Sequence, residues 1–124
     1  MNQEIPEAVS TEYSYGKCMW LALALHEQYG WPIWGQFDVL PDGQEYIAHA
    51  YVVMPDGREV DILGPQNEVD LFSAGSPRQI CSESIRALAD SESELTAALR
   101  EANEVMRKYV SPSLAVKKQE RKLK

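Results

Sequence analysis

The chain has 124 residues, 44% of them hydrophobic and 25% charged, which suits one packed globular domain, and a second independent domain is not expected. No run approaches the roughly eighteen apolar residues of a membrane span, and the opening MNQEIPEAVSTEYS lacks the basic start and apolar stretch of a secretory signal. A cytoplasmic protein is expected, although secretion without a cleaved signal would leave no mark. The net charge is -7, but the final VKKQERKLK carries five Lys or Arg against one Glu, so +4 sits in the tail and -11 on the rest. An acidic body speaks against broad nucleic-acid binding. The tail reads as a solvated, frayed terminus, with a docking arm for an acidic partner as the alternative.

Residues 1–13 are polar and without apolar periodicity, and read as a loose lead-in to a single domain over 14–112, with 113–124 as the basic tail. A first helix is predicted from about Gly16 to Tyr29. Leu21, Ala22, Leu25 and Tyr29 fall at helical spacing, Ser14 is the candidate cap, and Gly30-Trp31-Pro32 supplies a stop. Three strand-rich segments follow: IWGQFDVL, QEYIAHAYVVM and REVDILG. The same punctuation, Pro41-Asp42-Gly43 and then Pro55-Asp56-Gly57, separates them. Pro suits the first central position of a type I turn and Gly the left-handed position after it. Both turns are therefore expected to be three-residue hairpins with a Gly bulge.

After Gly64-Pro65 the pattern is irregular to about Gly75, and RQICSES is a possible further strand. The last helix is announced by Ser91 and Glu94 as a capping box. Leu95, Ala98, Leu99, Ala102, Val105, Met106 and Tyr109 form its apolar face, and Ser111-Pro112 is expected to end it. The fold class is α+β: an N-terminal helix packed on an antiparallel β-meander, with a C-terminal covering helix.

Cys18 stands in the first turn of the first helix, where unsatisfied amides and the positive end of the helix dipole favour a thiolate. A nucleophilic cysteine needs a base within hydrogen-bond reach. His26 is eight residues along the same helix, roughly 12 Å of rise away, and reads as a surface residue. His49, in the second strand, is the remaining histidine. The second turn pairs Val53 with Glu59, Tyr51 with Asp61 and His49 with Leu63, so Asp61 is the diagonal same-face neighbour of His49. The first turn pairs His49 with Gly35, which would leave open space beside the imidazole. Nucleophile on a helix end, base on a strand and carboxylate on the next strand form the triad logic of acyl transfer.

Gly16-Lys17-Cys18-Met19-Trp20 opening a helix, with His49 and then Asp61 on consecutive strands, resembles the minimal core of the papain-like and transglutaminase-like cysteine enzymes. The likeness covers residues 14–64. It implies Cys18 as nucleophile, His49 as general base and acid, and Asp61 as the group that orients the base. Papain-like enzymes usually place an oxyanion-hole Gln about six residues before the cysteine, and here Glu12 stands there. A second donor beside the Cys18 amide would come from the hydroxyl of Tyr13 or Tyr15. The expected activity is a thiol-dependent amide hydrolase or acyl transferase, such as a peptidase, glutamine deamidase or transglutaminase. Its substrate would be a specific protein or a small amide, and it would need no cofactor. The alternative is a non-catalytic binding module, an inhibitor or immunity-type protein that keeps the same core.

Cys81 has no histidine near it in sequence and reads as structural, and the Cys and His spacings suit no metal. Trp20, Trp31 and Trp34 are expected in the core or a cleft wall, with substrate contact the alternative for Trp34.

Overall fold

A computed structural model describes residues 5–68 and 76–114; residues 1–4, part of the irregular stretch (69–75) and the basic tail from 115 onward lie outside the described residues. The elements in chain order are α1 (Glu7–Tyr15), α2 (Cys18–Tyr29), β1 (Ile33–Val39), β2 (Glu45–Val53), β3 (Glu59–Asp61), β4 (Gly64–Gln66), β5 (Arg78–Ile80), α3 (Ser82–Arg86) and α4 (Glu92–Val105). A π-helical turn, Met106–Val110, continues α4. The five strands form one antiparallel sheet in the order β4-β3-β2-β1-β5. The α+β class and the central meander match the expectation from the sequence.

Both PDG turns take the expected form. In the first, Gly43 N donates to Leu40 O at 2.8 Å and Leu40 N to Gln44 O at 2.8 Å. In the second, Gly57 N donates to Met54 O at 2.9 Å and Met54 N to Arg58 O at 2.8 Å. Gly43 and Gly57 sit at φ 91 and 93, a conformation that side-chain-bearing residues rarely adopt. Asp42 and Asp56 brace the turns by accepting the backbone N–H two residues on, each at 3.0 Å. The second turn yields the expected pair Val53 with Glu59.

The first hairpin departs from its expected register. Next to the turn, Val39 pairs with Glu45 and Phe37 with Ile47, but Gln36 pairs with His49. Ala48 is therefore an extra residue, a β-bulge that advances the register by one. His49 faces Gln36, and Gly35 faces Ala50. Nor is there open space at Gly35. A Cβ there would lie 2.5 Å from Ile80 Cδ1 and 3.0 Å from the His49 carbonyl oxygen, so the glycine lets β5 close onto the sheet.

The loose lead-in is in fact helical from Glu7. Tyr13 is the one fully buried residue of α1, so no apolar stripe marked it. Gly16 N and Lys17 N both donate to Glu12 O, at 3.0 and 2.8 Å, which ends α1 and lets α2 restart at Cys18. Ser14 consequently lies inside α1 and caps nothing in α2.

Leu21, Ala22, Leu23, Ala24 and Leu25 are all buried. Such burial around the whole circumference makes α2 the central helix, in contact with β2 and with α4. Tyr29, expected on the apolar stripe, is instead partly exposed, stacked on Trp31 at 4.5 Å and bonded to Ser111 Oγ at 2.9 Å.

The Ser91 cap of α4 is present, its Oγ accepting Glu94 N at 3.1 Å. Pro112 does not end the helix, which runs on through residues 111–114. A proline inside a helix lacks its N–H and crowds the carbonyl four residues back. The preceding π turn, in which Ser111 N reaches back to Met106 O, redirects the carbonyls there and admits the ring. Val110 and Leu114 are buried as a result.

Leu25 is fully buried in the central helix. Leu25→Ala should lower unfolding free energy by about 2 to 5 kcal/mol, read from the urea midpoint at constant slope. A loss under about 1 kcal/mol would place Leu25 outside the core.

Candidate active site

His49 and Asp61 meet as the register of the second hairpin requires. His49 Nε2 lies 2.9 Å from Asp61 Oδ2, and the two residues are only 1% and 6% exposed. The other ring nitrogen, Nδ1, faces the α1–α2 junction at 3.3 Å from the Ser14 carbonyl oxygen. Cys18, the first residue of α2 and 3% exposed, lies close enough to the imidazole to raise its pKa. The three groups sought in the sequence are thus brought together.

The protonation of His49 follows from these neighbours. Burial alone would push the imidazolium toward deprotonation. The hydrogen bonds to Asp61 and Cys18, with the charges of both, outweigh that and raise its pKa from 6.5 to about 9. The shift is toward the cationic imidazole.

The carboxylate is itself held. Asp61 Oδ1 accepts Leu63 N at 2.9 Å and Gln66 Nε2 at 2.7 Å, leaving Oδ2 for the histidine. Tyr51 stacks beside His49 with ring centroids 6.2 Å apart, and burial, then Glu59 and Glu68, push its phenol up to about 12. Gln36, directly across from His49, is 2% exposed. Neither Gln36 nor Gln66 carries a local sequence signal for this place. Gln36 was hidden by the bulge, and Gln66 by the irregular pattern after Gly64.

The two tyrosines expected beside Cys18 do not join this set through their described contacts. Tyr13 is buried, and its hydroxyl donates to Glu101 Oε1 of α4 at 2.8 Å. Burial and then that carboxylate raise its pKa strongly. Its proton is committed to tying α1 to α4. Tyr15 is 66% exposed. Glu12, at the position of the family's usual Gln, faces Lys17 at 3.8 Å, and Lys17 also binds Glu101 at 2.8 Å.

Trp34 is half-buried in β1, paired with Tyr51 and Gln79, while Trp20 and Trp31 pack against the core. Cys81 is exposed, and its Sγ donates to Glu83 Oε1 at 3.0 Å. It lines a cleft of about 740 Å³ with Met19, Phe37, Ile47, Arg78 and Leu88. His26 is half-buried, with Nδ1 2.8 Å from Trp31 O. Among the described residues no cluster of His, Cys, Asp and Glu could hold a metal, and no helix is long and apolar enough to cross a membrane.

No protein-family model, curated protein or solved structure matches the chain.

Because the folded His49 binds its proton more tightly than the unfolded chain does, its stabilising effect is fully present below about pH 6.5 and is lost as pH rises through about 9. Urea midpoints across that window should fall for the native chain and fall less for His49→Gln. Parallel curves would show that His49 is not the group responsible.

Proposed function

We propose that the chain is a thiol-dependent amide hydrolase or acyl transferase acting through Cys18, His49 and Asp61. The observation that carries the reading is the buried His49, bonded to Asp61 through Nε2 and turning Nδ1 to the α1–α2 junction where Cys18 begins α2. A carboxylate that stabilises the imidazolium also stabilises the thiolate paired with it.

In this reading the Cys18 sulfur attacks the carbonyl carbon of an amide or thioester. The C–N or C–S bond breaks, and the leaving group takes the proton held by His49. The acyl group stays on sulfur until water or an amine attacks, with His49 removing the nucleophile's proton and the thiolate departing. Peptide hydrolysis, glutamine deamidation and transamidation all follow this course. The Cys18 backbone amide, in the first turn of α2, is one donor for the developing oxyanion. A specific protein or small amide is the substrate, no cofactor is required, and the cytoplasm is the site of action. Nucleic acid and membrane play no part.

The second reading, a binding module that retains the core, is favoured by one observation. All three groups are at most 6% exposed, and the Tyr13 hydroxyl is already spent on Glu101. Iodoacetamide labelling separates the two. In a Cys81→Ser background, Cys18 of the native protein at pH 6 should react at least about tenfold faster than an unperturbed cysteine peptide. Asp61→Asn should abolish that advantage while leaving cooperative melting intact, because the imidazole loses the carboxylate that fixes its tautomer and charge. If Cys18 reacts only after denaturation, the enzyme reading fails and the binding module replaces it.

A further inference from the structure

The turn after β3 is built around Asp61, and its far side is supplied by Gln66. Asp61 pairs with Gly64 across a two-residue reversal at Ile62 and Leu63, while Gln66 pairs with Glu59 two residues further along β4. The Gln66 amide therefore reaches diagonally to the carboxylate. Its Nε2 donates to Asp61 Oδ1 at 2.7 Å and to the Gly64 carbonyl at 3.1 Å, so both amide hydrogens are directed by one short hairpin. Leu63 N adds a second donor on the same oxygen at 2.9 Å. With Oδ1 doubly held, the carboxylate plane is fixed and Oδ2 has His49 as its partner at 2.9 Å.

We infer that Gln66 is a positioning residue for the site, the group that locks the Asp61 carboxylate in the rotation that presents Oδ2 to His49. The inference rests on the triad reading for its catalytic meaning, though not for its geometry. Leu63 N alone restrains one oxygen without fixing rotation about the Cβ–Cγ bond. The second donor, from a different strand, removes that freedom. The charged and titratable groups around the imidazole are Cys18 from α2, Asp61 from β3 and Tyr51 from its own strand, with Glu59 and Glu68 beyond Tyr51. Gln66 is uncharged, so it alters this set only through Asp61.

The test is the titration of His49 by NMR in the native chain, Gln66→Leu and Gln66→Glu, with His26 of each as the internal control. In Gln66→Leu the midpoint of His49 should fall by about one pH unit or more, because a carboxylate free to rotate stabilises the imidazolium less. The thermal transition should remain cooperative, since Leu fills similar space. Gln66→Glu supplies a decisive second case. While its carboxyl is protonated it donates to Asp61 as the amide does, and once ionised it repels Asp61. Iodoacetamide labelling of Cys18 in this variant should therefore match the native rate in acid and drop to that of Gln66→Leu above the new ionisation. A merely structural glutamine would not produce that pH-dependent split. An unchanged or raised His49 midpoint in Gln66→Leu would overturn the inference. If native Cys18 itself proves unreactive, the thiol-enzyme reading fails, and the NMR midpoint still decides the role of Gln66.

Discussion

The buried bond between His49 and Asp61 is the interaction on which the other features converge. Two ionisable side chains at 1% and 6% exposure are tolerable in a small core only if each satisfies the other's hydrogen-bonding capacity. Around this pair the chain supplies further partners: Ser14 O and Cys18 to the imidazole, Leu63 N and Gln66 to the carboxylate. The pair thus links three strands and a helix end through one set of buried polar contacts.

The order of elements explains why these partners arrive together. The second PDG turn sets β2 against β3 and so fixes which residue lies diagonal to His49. The bulge at Ala48 then offsets β1, bringing the polar Gln36 rather than Gly35 opposite the imidazole. Gly35 does a different task, giving Ile80 of β5 room to close the far side of the sheet. Polar and apolar requirements are thus met on neighbouring residues of one strand: Ala50 and Val52 alternate with His49 and Tyr51, and all four are buried.

Much of this was legible because it rested on local chemistry. Pro-Asp-Gly determines its own turn, and a turn determines register for the few residues beside it; the contact of His49 with Asp61 follows from that alone. What could not be read depended on tertiary context. A bulge at Ala48 has no side-chain signature, since alanine suits either a regular or an extra position. Helix α1 buries only Tyr13 completely and carries no periodic stripe. Pro112 is a helix terminator by its own geometry, and the π turn before it, which buries Met106 and Val110, lets the helix pass. Gln66 lay in a segment without periodicity, and its role depends on a diagonal across the short hairpin of β3 and β4.

The thin anchoring of α1 has a kinetic consequence. A helix of nine residues with one buried side chain, held to α4 through Tyr13, Lys17 and Glu101, has few buried contacts to resist local opening. Its backbone amides should accordingly exchange with solvent deuterium well before those of α2, without global unfolding. Ser14 belongs to that helix, and its carbonyl rests against His49 Nδ1. Opening of α1 that reached Ser14 would withdraw that carbonyl from the imidazole, so the last turn of the helix is part of the wall of the site.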